Sequence, residues 1–142
     1  MFLPKALYHL LTNDARVNNI IAGRVFNMEI PEGIDYPAIC MWCMVDSSVM
    51  ALDGNLSKYA QPVWRFDCWS TSGAEVFKLR AAVLNCLQGY HGTVTIDDEE
   101  LKIYGITFDG GRSVQFKDSA DTKVYGWELE MVVAYLEDVS SE

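Results

Sequence analysis

Hydrophobic positions recur at helical spacing in two parts of the chain and alternate in the rest. Ala6, Leu7, Leu10 and Leu11 share one helical face, behind Pro4, which suits a first helical turn. Asn13 is placed to cap a second short helix carrying Val17, Ile20 and Ile21, with Gly23 as its stop. Residues 25–28 predict a short strand, and 30–37 an irregular loop around Pro31 and Pro37. Residues 38–50 predict a strand with apolar side chains on both faces. Ile39, Met41 and Val45 lie on one face, Trp42 and Met44 on the other, a pattern that implies cover on two sides. Asp53-Gly54 marks a turn. In the strand predicted over 61–69, Val63, Arg65, Asp67 and Trp69 alternate with Trp64, Phe66 and Cys68.

Residues 73–88 carry the sharpest local signal. Ser72 and Glu75 have capping-box spacing. Val76, Leu79, Val83 and Leu87 form a buried stripe widened by Ala82 and Cys86, and Gly89 ends the helix. Strands are then predicted over 93–96, 101–108 and 113–116, with Asp97–Glu100 and Asp109-Gly110-Gly111 as the turns between them. Residues 117–123 read as a polar loop. Residues 123–136 predict a long strand, with Tyr125, Trp127, Leu129, Met131, Val133 and Tyr135 on one face and Glu128 and Glu130 on the other. Helices, strands, one long helix and more strands define an α+β fold. Its sheet is mainly antiparallel, with the N-terminal helices and the long amphipathic helix on one face. Residues 1–137 read as a single domain and 138–142 as a polar C-terminal tail.

Composition narrows the function classes. Half of the 142 residues are hydrophobic, enough for a core and too many for a disordered chain. No apolar run approaches the roughly 20 residues of a bilayer span. Met1–Leu11 is interrupted by Pro4, Lys5 and His9 and does not read as a signal peptide, so a protein made and assembled in the cytoplasm is expected. A net charge of −9 disfavours specific nucleic-acid binding, and the basic residues are scattered singly. With two histidines, His9 and His91, and no Gly-x-Ser-x-Gly or phosphate-cradling glycine loop, no catalytic constellation emerges. Cys40-Met-Trp-Cys43 lies in a predicted strand, where residues three apart point to opposite faces and cannot converge on a metal. Asp97–Glu100 reads as a solvated hairpin turn rather than a calcium loop. Neither an enzyme, a cofactor nor a metal site is expected.

Several phrases occur in a telling order: Ala22-Gly23-Arg24-Val25-Phe26; Glu32-Gly33 and Tyr36-Pro37-Ala38-Ile39; Trp64-Arg65-Phe66-Asp67-Cys68-Trp69-Ser70-Thr71 running into the helix at Glu75–Leu87; and the late strand Trp127-Glu128-Leu129-Glu130-Met131-Val132-Val133. In this layout, from about Ala6 to Leu136, the chain resembles the tail completion family of long-tailed phages, which includes tail terminator and head–tail joining proteins. The resemblance implies a structural subunit of a phage or prophage virion tail. It implies a homo-oligomeric ring, usually a hexamer, that stops tail-tube assembly. The partners implied are the tail tube protein and the head–tail connector protein, with DNA passing through the lumen.

Four Trp and seven Tyr are a high load, and both residues are enriched at interfaces. Trp42, Trp64, Trp69, Tyr125, Trp127, Glu128 and Glu130 are the candidate subunit-interface residues. The competing readings are another minor tail protein or assembly chaperone, and a small ligand-binding or enzymatic domain with a pocket around Asp67, Glu128 and Glu130.

Overall fold

A computed structural model describes residues 2–29, 31–46, 48–50 and 56–136. The Asp53-Gly54 turn and the 138–142 tail lie outside the described residues. In chain order the elements are α1 (Leu3–Thr12), α2 (Ala15–Ile21), β1 (Val25–Asn27), β2 (Ala38–Val45), β3 (Ser48–Met50), β4 (Leu56–Ala60), β5 (Val63–Ser70), α3 (Gly73–Leu87), β6 (Gly92–Ile96), β7 (Glu99–Lys117) and β8 (Lys123–Leu136).

The helix ends follow local hydrogen-bond chemistry. Asn13 does not cap α2. Its backbone N–H and its side chain both donate to the His9 carbonyl and close α1. Asp14, one residue later, caps α2 by accepting from the backbone N–H of Arg16 at 2.9 Å and Val17 at 3.3 Å. Two short helices this close need one residue for each end. The α2 stop begins at Ala22, already left-handed at φ 49°, and continues at Gly23. At α3, Ser72 Oγ accepts from the Glu75 N–H. The return bond of the capping box is relayed: Ser70 Oγ donates to Glu75 Oε1 at 2.7 Å and accepts from the Ser72 N–H.

The sheet is built around β8. Strand β5 pairs with it antiparallel from Val63↔Val132 to Ser70↔Tyr125. Strand β4 continues that register through Tyr59↔Leu136 and Ala60↔Tyr135. The break falls at Pro62, which has no N–H to donate but still accepts from the Val133 N–H at 3.0 Å. On its other side β8 pairs with β7 from Ile103↔Tyr135 to Lys117↔Lys123. Beyond β7 lies β6; beyond β5 lie β2, antiparallel, and β1, parallel to β2. Strand β3 pairs with β4.

One expected turn is absent. Asp109-Gly110-Gly111 does not reverse the chain: β7 runs unbroken from Glu99 to Lys117, merging two predicted strands. The register shifts between Phe108 and Gly110, so Asp109 is the extra residue of a bulge, and Gly110 takes φ 133°. Gly111 is there for space: a Cβ on it would lie 2.5 Å from the Glu128 carbonyl oxygen. The true tight turn is Asp97–Asp98, both left-handed at φ 49° and 68°, the geometry of a type I′ hairpin.

Alternation sorts the side chains. Phe66, Cys68, Ile39, Met41, Leu129, Met131 and Val133 face the helices, where they pack with Leu7, Leu11, Val76, Leu79, Val83 and Leu87. The expectation that helices cover one face of a mainly antiparallel sheet holds. On the opposite face Cys40, Trp69 and Val124 form a smaller cluster, covered by Phe26, Ile34, Tyr36 and Trp42. That cover comes partly from the chain's own 31–36 loop, so the apolar side chains on the second face call for less outside cover than their number implies. No helix among the described residues is long and apolar enough to cross a membrane.

The glycines define a paired prediction. Asp98→Gly relieves a left-handed residue and is expected to stabilise the fold by about 0.5–1 kcal/mol. Gly111→Ala forces β7 away from the β8 backbone and is expected to cost about 1–3 kcal/mol. Urea midpoints of the two variants should move in opposite directions, and equal shifts would refute the bulge geometry.

Candidate assembly surfaces

The half of the sheet's second face left uncovered by the 31–36 loop carries charge. Asp67 is buried, at 3% exposure. Its carboxylate holds Arg65 on the same strand, with Arg65 Nε 2.8 Å from Oδ1 and Nη2 donating to Oδ2 at 3.0 Å. The Trp42 indole N–H donates to Oδ2 at 2.8 Å from neighbouring β2. Burial pushes the Asp67 carboxyl above its ordinary range, against the pull of Arg65 and Trp42. Across β8, Glu128 lies opposite Asp67 and Glu130 opposite Arg65. Arg112 on β7 reaches Glu128 with Nε 2.7 Å from Oε1.

The seven candidate interface residues therefore divide among four environments. Trp42, Glu128 and Glu130 are half-buried on this charged face. Trp69 is buried in the small cluster beneath the 31–36 loop and meets Phe116 edge-on at 5.8 Å. Trp64 is in the main core, its indole N–H without a hydrogen-bond partner among the described residues. Tyr125 and Trp127 lie on the helix face, half-buried at its margin.

The thiols fall where alternation puts them. Cys40 is buried in the second-face cluster, whereas Cys43 is exposed and registers with Trp64 of the helix face. Burial raises the Cys40 thiol to about 11 and the Cys86 thiol to about 12, and pushes Cys68 up further. None of these three is a thiolate at neutral pH. Among the described residues no group of three or more His, Cys, Asp or Glu is arranged to hold a metal ion. Asp67, Glu128 and Glu130 share one sheet face with Arg65 and Arg112 among them, and none of the three lines the cavities beside α3, the 31–36 loop or the end of β7. The largest of these cavities, about 480 Å³, lies elsewhere, between the 31–36 loop and the 118–120 turn.

Several exposed apolar side chains stand at the two margins of the sheet, while Phe2, Tyr8, Tyr104 and Leu136 are exposed elsewhere. Met28, Met44 and Val45 stand at the β1–β2 margin; Phe77 and Phe116 stand at the β7 and α3 margin. Strand β1 ends at Asn27, and the Met28 N–H then bonds to β2 at the Met41 carbonyl. On β7 the outer edge is closed at two points by the end of α3: the Gly89 N–H donates to the Ile106 carbonyl and the Phe108 N–H donates to Gln88 Oε1 at 2.6 Å. Basic residues scattered in sequence also meet here. Arg80 stacks over Trp127 at 4.8 Å and Lys123 over Tyr125 at 5.3 Å. Helical spacing alone does not reveal this grouping, because strand pairing creates it.

These features define a small α+β subunit with a helix-backed antiparallel sheet and two unlike apolar margins. A chain described as "Virion of native gene transfer agent (GTA) particle" shares this fold, with a TM-score of 0.70, 15% identity and 94% of each chain covered. No curated protein sequence matches the chain. Residues 5–134 match the family model of the tail completion protein gp17. The chain belongs to that family, and is in its class a structural protein of a phage tail.

Two outcomes test the chemistry of these surfaces. Asp67→Ala strips the acceptor from Trp42 and Arg65 and is expected to cost about 2–3 kcal/mol; a urea titration within 0.5 kcal/mol of the wild type, roughly the scatter of surface substitutions, would contradict the network. N-ethylmaleimide at neutral pH is expected to label Cys43 alone in the folded protein, counted by intact mass. Rapid labelling of Cys40 or Cys68 would contradict their burial.

Proposed function

We propose that this chain works by assembling rather than by catalysis. Its copies close into a ring, most simply of six, at the head-proximal end of the tail. The ring stops polymerisation of the tail tube, contacts the tail tube protein on one side and the head–tail connector protein on the other, and lets DNA pass through its lumen. Assembly takes place in the host bacterial cytoplasm and the product stays in the virion tail.

Membership of the tail completion family carries this reading. The surfaces support it physically. A closed ring needs heterologous contacts, in which one patch of a subunit meets a different patch of the next. The β1–β2 margin with Met28, Met44 and Val45, and the β7 and α3 margin with Phe77 and Phe116, provide two unlike apolar patches separated by the width of the sheet. The charged face with Trp42, Glu128 and Glu130 suits a wetter contact with a different partner. A net charge of −9 per copy makes any ring strongly acidic, which lets DNA slide without sticking to the wall.

The test is negative-stain imaging of tails made in cells lacking this protein. Overlong tubes or tubes of scattered length are expected, with few joined to heads. Tubes of normal, uniform length would overturn the terminator role, and tails still joined to heads would overturn the joining role.

A further inference from the structure

Along its outer edge β7 changes character at the Asp109 bulge. Pairing alternates, so Gly110, Arg112, Val114 and Phe116 bond toward β8 and Gly111, Ser113, Gln115 and Lys117 present their backbone groups outward. The end of α3 covers Ile106 and Phe108, but among the described residues nothing pairs with the outer edge from Gly111 to Lys117. An open edge of this length is a template for another strand.

A trough of about 250 Å³ lies beside that edge on the helix face, between Gly73 and Val76 of α3, Ser113 and Gln115 of β7, and Tyr125 and Trp127 of β8. It exists because β7 puts only small or polar side chains beside two aromatics. Phe77, more than half exposed, stands against Trp127 at 6.4 Å. The trough has a cationic rim. Arg80 lies over Trp127 with its Nε buried and without a hydrogen-bond partner among the described residues. Lys123 lies over Tyr125, and Lys117 is directly opposite Lys123. Like charges opposed across a ladder repel unless an anion sits between them. Lys117 has a partial partner in exposed Asp121, at 3.6 Å; Lys123 and Arg80 form no ion pair among the described residues.

Residues Glu137–Glu142, which follow β8, read Glu-Asp-Val-Ser-Ser-Glu: three carboxylates, one β-branched apolar residue and no base. Their charge complements the rim. They cannot serve their own trough, because Leu136 is nine residues beyond Trp127 on β8, about 30 Å at ~3.3 Å per residue. Six residues fully extended span only about 20 Å.

We propose that the open β7 edge at Gly111–Lys117 is a strand-addition site for the acidic Glu137–Glu142 segment of a second copy of this chain. Backbone groups of Gly111, Ser113 and Gln115 supply the ladder, Val139 packs beside Trp127 and Phe77, and Arg80, Lys117 and Lys123 hold Glu137, which the pleat puts on the same face as Val139. This is the strand-addition mode of recognition. It rests on the ring reading above and names one contact that links neighbouring copies.

The experiment mixes unlabelled and ¹⁵N-labelled full-length protein at high concentration and applies a zero-length carbodiimide, which joins Lys to Asp or Glu. Mixed-isotope links from Lys117 or Lys123 to Glu137 are expected. They should fall about tenfold in Ser113→Pro, which loses a ladder donor, the equivalent of ~1.4 kcal/mol. They should fall similarly in Arg80→Gln, which keeps the helix and the edge. Absence of those links, their occurrence only within one isotope, or indifference to both substitutions would overturn the proposal. Mass photometry of the same samples separates the two readings. Closed rings without the links leave the ring standing and remove this contact; links without rings keep the contact and remove the ring.

Discussion

The pleat of β8 sorts the molecule into layers. Its odd-numbered side chains from Leu129 to Tyr135 enter the helix-backed core, while Val124, Glu128 and Glu130 point to the opposite face. Its even-numbered backbone groups bond β7 and its odd-numbered ones bond β5 and β4. Leu129, Met131 and Val133 are fully buried, each contributing about 1.5–3 kcal/mol of apolar burial. A slip of one residue would exchange these three with Glu128, Glu130 and Val132, so the register has no competitor. The α3 stripe, the β5 alternation and the position of the charged face all follow from it.

Elements whose side chains repeat against one long partner were legible in the sequence. The 123–136 strand and the α3 helix are where their patterns place them, because each pattern runs for several periods. Features decided by a non-local neighbour were not legible. Asp109-Gly110-Gly111 has the chemistry of a turn, and the same chemistry suits a bulge; the choice was made by the Glu128 carbonyl, which leaves no room for a Cβ at Gly111. Asn13 and Asp14 are both good caps, and only the positions of both helix ends assign one to each. Among the candidate interface residues, Trp42, Glu128 and Glu130 share the charged face as their parity requires. Trp64 and Trp69 were drawn inward by packing partners in α1–α3 and in the 31–36 loop that no local pattern announces. The cationic rim around Trp127 is likewise a product of pairing α3 with β8 and β8 with β7.

The Asp67 network illustrates how a polar group on a sheet can be structural without being catalytic. A buried ion pair adds little net stability, since desolvation of both charges offsets their attraction. What it adds is selectivity among arrangements. Asp67 satisfies Trp42 only when β2 and β5 pair in the observed register, and a slip would strand a carboxylate and an indole N–H. The network fixes β2 beside β5, and so fixes the margin that carries Met44 and Val45.

The two margins of the sheet are unequal in a way that bears on assembly. An isolated subunit with an open strand edge and exposed apolar side chains invites uncontrolled stacking. A head-to-tail contact between unlike margins uses both at once, but the same contact yields a helical filament whenever the rotation per subunit fails to close. Apolar patches alone do not set that rotation, because they tolerate sliding. Directional groups set it: a backbone ladder fixes register to one residue, and charges on one rim exclude a copy arriving with the wrong end. An edge strand flanked by Arg80, Lys117 and Lys123 supplies both constraints, which the proposed ring would need if its copies are to close rather than polymerise.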